Sequence, residues 1–205
     1  MPLLPIDTRR LRVTEDLARV RAASALGPVC LADIAAGDRG FALVLVLLTI
    51  PFVLPFPTLG LATPVGFALA LAALGLVGGR PARLPRRLGT MVIGGAVLDR
   101  VHGAAGRLSA GLARVARPRL SVVLGLRPAL GVSLFTSAVV LGLPIPLPLS
   151  NFFPAVAILL LAAGMLEEDG LLVLAGHAAT AVVCAVVAGS GTAMWAAGTR
   201  VLSGI

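Results

Sequence analysis

Three long stretches of this chain carry no charged side chain: Gly40 to Gly79, Pro128 to Leu166, and Gly170 to Thr199. Each exceeds the roughly 20 residues that cross the hydrocarbon of a bilayer. A backbone in lipid must satisfy its own hydrogen bonds, which leaves helices or closed barrels. A barrel strand alternates apolar and polar residues, and these blocks do not alternate. The expectation is an all-α integral membrane protein. Composition agrees, since 58% of the 205 residues are apolar, only 13% are charged, and the mean hydropathy of +1.02 is too high for a soluble globule.

Two of the blocks are interrupted in the middle. The segment Arg127 to Gly170 reads RPALGVSLFTSAVVLGLPIPLPLSNFFPAVAILLLAAGMLEEDG, with Pro144, Pro146, Pro148 and Pro154 around Ser150 and Asn151. Proline removes a backbone donor and pushes the preceding residue out of the α region, so this chain is expected to enter, turn and return. The first block has the same design, with Pro51, Pro55, Pro57, Gly60 and Pro64 between two apolar arms. Placing Pro55 and Pro57 on Pro144 and Pro146 puts Gly75 on Gly164 at a constant offset, which suggests an internal duplication of a broken hairpin, as in many transporter folds. The arm from Phe41 to Ile50 spans about 15 Å, and about 21 Å if it reaches Leu54. That length favours a re-entrant loop, and a helix kinked at Pro51 would instead allow full spans.

The whole chain contains no Lys or Gln and a single Asn, Asn151. A lone amide in an apolar segment has two readings, an N-cap of the returning helix or a ligand contact at the proline turn, and the two are compatible. The turns make Thr58, Ser150 and Asn151, flanked by Pro55, Pro57, Pro144 and Pro146, the candidate pathway or substrate-binding residues.

Charge divides the rest. The net charge is +8, with six arginines before residue 40 and ten between Arg80 and Arg127. No aromatic residues interleave with them as nucleic-acid stacking requires, so the expectation is cytoplasmic flanks that meet anionic lipid headgroups. The segment from Thr8 to Ala25 reads as an amphipathic interfacial helix with Thr8 as N-cap, and Leu108, Leu112 and Val115 mark a second. The chain thus divides into an N-terminal segment over 1–39, a broken hairpin over 40–79, a basic interfacial connector over 80–126, a second broken hairpin over 127–169, and a final span with its tail over 170–205. All belong to one membrane domain. The opening MPLLPIDTRR lacks the features of a cleavable signal peptide, and insertion is expected from the internal helices.

Chemistry-bearing residues are few. His177 lies alone in an Ala-rich span; it is either a packed neutral residue or a proton-responsive site. Glu167, Glu168 and Asp169 form either a helix end with an N-cap for the last span or a cation or proton vestibule. Asp38 and Arg39 are expected to pair at the membrane entrance. Cys30 and Cys184 give no disulfide framework or metal spacing. With no metal cluster, phosphate loop or nucleophile triad, neither a cofactor nor an enzymatic activity is expected.

The stretches LADIAAGDRGFALVL (Leu31 to Leu45), RPARLPRR (Arg80 to Arg87), ARPRL (Ala116 to Leu120) and Gly142 to Gly176 together resemble the ExoD-type exopolysaccharide-synthesis membrane proteins. The resemblance implies a small multi-pass protein of the bacterial inner membrane, tied to exopolysaccharide production and, in some members, to tolerance of alkaline conditions. The turn PIPLPLSN is longer than the family's usual spacing, and an acidic residue precedes Asp169 where the family often has a basic one. Two functions fit. One is a homo-oligomeric permease or channel for an ion or polar solute, whose paired proline loops meet in mid-membrane. The other is a scaffold or accessory subunit that binds exopolysaccharide assembly proteins. An enzyme acting on lipid-linked intermediates would need a catalytic acid that the sequence barely offers.

Overall fold

The computed structural model describes residues 12–27, 29–35, 37–53, 60–80, 84, 89–91, 99, 103, 120–144 and 150–203. Every element among them is helical: α1 (Arg12–Leu26), α2 (Leu31–Ile34), α3 (Gly37–Val53), α4 (Ala62–Val77), α5 (Ser121–Gly125), α6 (Arg127–Gly142), α7 (Phe152–Glu167) and α8 (Gly170–Ser203).

The prolines sit where helices tolerate them. Pro128 lies in the first turn of α6, and Pro64 and Pro154 each occupy the third position of α4 and α7, where a backbone N–H has no intrahelical partner to lose. Pro51 does not end its helix as the sequence pattern suggests; α3 carries it in the last turn and continues to Val53. Nor does α3 begin at Gly40. It starts at Gly37, so Asp38 and Arg39 belong to its first turn. Asn151 stands at the N-cap of α7 but makes no side-chain capping bond; its carbonyl accepts the Ala155 N–H at 3.2 Å.

Helices α3, α4, α6 and α7 form the centre, with α4 packed chiefly on α6 and α3 on α7. The α4 and α6 axes run antiparallel and touch backbone to backbone at both ends. A Cβ placed on Gly66 would collide with Gly142 and lie 2.7 Å from the Ala138 carbonyl, and one on Gly131 would collide with Val77. Small residues that let helix backbones meet are the usual means of association where lipid removes the hydrophobic drive. Each boundary of α6 and α7 lies 89 or 90 residues beyond the matching boundary of α3 and α4.

Helix α8 folds back along α7, where Gly164 abuts Val173 and Gly176 abuts Leu161. It runs parallel to α6, since Ser133 meets His177 and Ser137 meets Thr180. The starts of α3, α6 and α8 and the ends of α4 and α7 therefore share one end of the bundle, here called the base. Phe41, Leu45, Ile50, Leu134, Ile158 and Leu161 fill the interior at 1% exposure or less.

The four central helices have 16 or 17 residues, about 24–26 Å at 1.5 Å per residue. Only α8, through Gly170–Thr192, is long and apolar enough among the described residues to cross a membrane. Its outer face exposes Leu171, Leu174, Val182 and Val186, as α4 exposes Leu61, Phe67, Leu71 and Leu74.

Candidate functional site

Two polar constellations interrupt the apolar bundle. The first is a row along the seam of α6 and α8. Ser133 and Ser137 are one turn apart on α6, and His177 and Thr180 are similarly spaced on α8, so each pair shares a helix face. Ser133 Oγ lies 2.6 Å from His177 Nδ1, and Ser137 Oγ lies 2.9 Å from Thr180 Oγ1. Thr180 also donates to the Gly176 carbonyl at 2.9 Å, which leaves Ser137 as the donor to Thr180. Ser137 and Thr180 are buried. A third buried hydroxyl, Thr49 on α3, donates to the Leu45 carbonyl of its own helix. Hydroxyl and imidazole groups linked in this way can hold a polar ligand or relay a proton.

The second constellation is the base. Asp38 and Arg39, expected to pair with each other, do not. Asp38 Oδ2 accepts from Arg127 Nη2 of α6 at 2.6 Å, and Arg39 Nε donates to Asp16 Oδ2 of α1 at 2.8 Å. The reason is helical geometry: adjacent residues point about 100° apart on a helix and cannot face one another. Asp16 Oδ1 also faces Arg19 Nη1 at 3.6 Å, so one carboxylate stands between two guanidinium groups. The pKa of Arg39 is raised above the ordinary arginine value, first by its hydrogen bond to Asp16 and then by the charges of Asp16, Glu167 and Glu168, against the opposing effect of burial.

The acidic trio of α7 and α8 takes the capping arrangement. Glu168 adopts a left-handed conformation with φ of 56° and closes α7. Asp169 is fully buried, and its Oδ1 accepts the Leu171 N–H at 2.9 Å at the start of α8. Glu167 is 8% exposed.

Beside this cluster, α1, α2 and α3 enclose an open cavity of about 610 Å³. Arg19, Arg39, Asp16 and Asp33 line it together with apolar groups that include Val20 and Leu43.

Of the expected pathway residues, Thr58, Pro55, Pro57 and Pro146 lie outside the described residues. Pro144 is exposed, and Ser150 and Asn151 are partly buried at the end of the bundle opposite the base. From Asn151 to Glu167 is the full length of α7, about 24 Å, so Ser150 and Asn151 lie at the end opposite Glu167, Glu168 and Asp169, with His177 along the seam between α6 and α8. The sequence reading missed Ser133, Ser137 and Thr180, although hydroxyls recurring at helical spacing inside charge-free blocks were a usable signal. It also missed Asp16 and Arg127, whose roles depend on contacts 23 and 89 residues away. Among the described residues no group of three His, Cys, Asp or Glu is placed to hold a metal, and both cysteines are free thiols.

The model of the exopolysaccharide-synthesis family ExoD matches residues 13–189. The chain belongs to the ExoD family. Protein ExoD of Rhizobium meliloti is 36% identical over 169 residues, which cover 79% of this chain and 69% of the relative. An uncharacterized protein of Synechocystis sp. is 32% identical over 151 residues, covering 69% and 68% of the two chains. No solved structure matches this ExoD-family chain. The family membership links it to exopolysaccharide synthesis, and the matched residues include α3 with its Asp38 and the α7–α8 turn.

Proposed function

We propose that this chain is a multi-pass protein of the bacterial inner membrane that serves exopolysaccharide synthesis by moving an ion or polar solute along the α6–α8 seam. The observation that carries this reading is the row Ser133–His177 and Ser137–Thr180, two hydrogen-bonded pairs set in otherwise apolar helices. Polar groups at membrane depth are costly, which makes them functional candidates. The apolar outer faces of α4 and α8 suit contact with lipid, and the arginines near the base support a cytoplasmic position for that end. In this reading the matching helix boundaries reflect an internal duplication, and the proline loops around Thr58 and Ser150–Asn151 form the far mouth of the path in a homo-oligomer. His177 is the proton-responsive group. No catalytic step or cofactor is assigned.

Purified protein in sealed vesicles, with an internal pH dye and candidate ions, tests the proposal. Flux that is lost in His177→Phe with folding intact supports it. Single cysteines at Thr58 and Ser150, after replacement of Cys30 and Cys184, then report whether the loops are wet from one side.

One observation favours a second reading. The backbone contact of Gly66 with Gly142 and of Gly131 with Val77 closes the α4–α6 interface, as in a dry scaffold that binds exopolysaccharide assembly proteins without solute flux. Cysteines protected from both sides in a folded, flux-free protein would select it.

A further inference from the structure

The base cavity has features that neither transport along α6–α8 nor packing of the bundle explains. We propose that it binds a zwitterionic phospholipid, with the lipid phosphate at Arg19 and Arg39, the ammonium at Asp33, and the chain stems over Val20, Ile34 and Leu43. The proposal rests on the membrane reading given above.

The lining of the cavity carries both signs. Asp16 divides its two oxygens between Arg39 at 2.8 Å and Arg19 at 3.6 Å. Within the lining Asp16 is shared by two guanidinium groups, and the charges of Glu167 and Glu168 also act on Arg39. Arg39 makes its bond through Nε, so its two terminal nitrogens are not part of it. The 3.6 Å separation at Arg19 is longer than a hydrogen bond, and its side chain is 77% exposed. Planar guanidinium forks of this kind match phosphate oxygens.

Asp33 also lines the cavity. Its Oδ2 accepts the Cys30 N–H at 3.1 Å, which fixes the orientation of the carboxylate, and a carboxylate has acceptor sites for more than one donor. A wholly anionic head group would be opposed by Asp33, and a wholly cationic one by Arg19 and Arg39. A head group carrying both charges meets partners of both signs.

Size and position point to a lipid as the source of that zwitterion. The volume of about 610 Å³ falls within the range of roughly 300–1,000 Å³ typical of small-molecule sites. The apolar floor has no use for a free, fully hydrated zwitterion. Gly40 and Leu43 of α3 line the cavity, where that helix passes from charged to apolar sequence, the level at which a head group joins its chains.

The test is native mass spectrometry of the full chain released from detergent with phosphatidylethanolamine or phosphatidylglycerol. Three variants are compared: Arg19→Gln; Asp33→Asn, which keeps an acceptor for Cys30; and Ala23→Leu, which fills the cavity without altering a charge. Circular dichroism confirms that each is folded. The expected result is that Asp33→Asn lowers phosphatidylethanolamine retention about two- to fivefold, as for an exposed ionic contact, without lowering phosphatidylglycerol retention. Arg19→Gln and Ala23→Leu lower phosphatidylethanolamine retention as well. Unchanged phosphatidylethanolamine retention in Asp33→Asn and Ala23→Leu overturns the proposal, and so does an equal fall for both lipids in Asp33→Asn. Soluble phosphoethanolamine that displaces the lipid at equal concentration overturns the lipid assignment. Alkaline washing of cell membranes separates the two readings: release of the protein refutes the membrane reading, whereas a retained protein without lipid selectivity refutes only this one.

Discussion

Asp38 and Arg127 form an ion pair at 2.6 Å between the first turns of α3 and α6, bridging 89 residues of chain. Both side chains are about two-fifths exposed, so the pair fixes how the two halves meet at the base more than it adds stability. Neutralising either partner, by Asp38→Asn or Arg127→Met, is expected to cost about 0.2–1 kcal/mol. The double swap Asp38→Arg with Arg127→Asp should recover most of it. Thermal unfolding in detergent across the double-mutant cycle measures the coupling, and two strictly additive single changes would show that the pair contributes nothing.

Gly66 of α4 and Gly131 of α6 are expected to be far less tolerant than Gly189 of α8. Gly66→Ala and Gly131→Ala push a methyl group into backbone of the facing helix, where no side chain can yield, and overpacking of this kind costs about 1–3 kcal/mol. Gly189→Ala meets open space within α8 and should be neutral, or stabilising by up to about 1 kcal/mol through helix propensity. Melting temperatures of the three variants, compared side by side, check the order.

Within the buried pair of the seam the two partners are not equivalent. Ser137→Ala removes a donor but leaves Thr180 bonded to the Gly176 carbonyl. Thr180→Val deprives the buried Ser137 hydroxyl of its acceptor and is expected to cost more, about 1–3 kcal/mol against about 1. Equal losses in denaturant titrations would argue against the hydrogen-bond direction assigned to Thr180.

Asp169 separates capping from ion coupling. Asp169→Asn keeps an acceptor for the Leu171 N–H and should retain stability, while Asp169→Ala should lose about 1 kcal/mol, a typical cap contribution. If solute flux is found, its survival in Asp169→Asn assigns the residue to the fold. Loss of flux in a stable Asp169→Asn protein would instead give it a coupling role.

The pH response of the base follows from the raised pKa of Arg39. A group whose pKa is higher in the folded state contributes its full stabilisation below the unfolded pKa and loses it only as pH rises through the folded value. For arginine both lie above the range in which the protein can be assayed, so the wild-type contact with Asp16 persists from pH 7 to about 11. In Arg39→Lys the charge disappears near the lysine pKa of about 10.4. The gap in melting temperature between wild type and variant should therefore widen above about pH 10, and a constant gap would mean that the Arg39 charge does not stabilise the fold.

Helical class was legible because absence of charge over whole blocks leaves the backbone few options. The chain returns between α6 and α7, while Pro146 and Pro148 of the proline cluster expected to turn it lie outside the described residues. Pro51 left two readings open, a break or a helix that continues through it, because local chemistry reports only the lost hydrogen bond; α3 continues to Val53 with Phe52 buried. Asn151 misled in part for a similar reason: its position at a helix start follows from the chain, but whether its side chain caps depends on local dihedrals.

The sequence by itself determined that the chain forms apolar helices with small residues on their faces, where the charges accumulate, and to which family the chain belongs. The helices and the charge distribution arise from local composition and periodicity, and the family from the resemblance of the motif stretches. Tertiary structure alone decided that Arg39 turns to Asp16 while Asp38 turns to Arg127, that Ser133 finds His177, and that α1 and α2 close a two-signed cavity over α3. A helix's period states which residues share a face but carries no information about what that face will meet. Partners 23, 44 or 89 residues apart are set by the rotation and axial position of whole helices, which close contacts such as that of Gly66 with Gly142 hold in place.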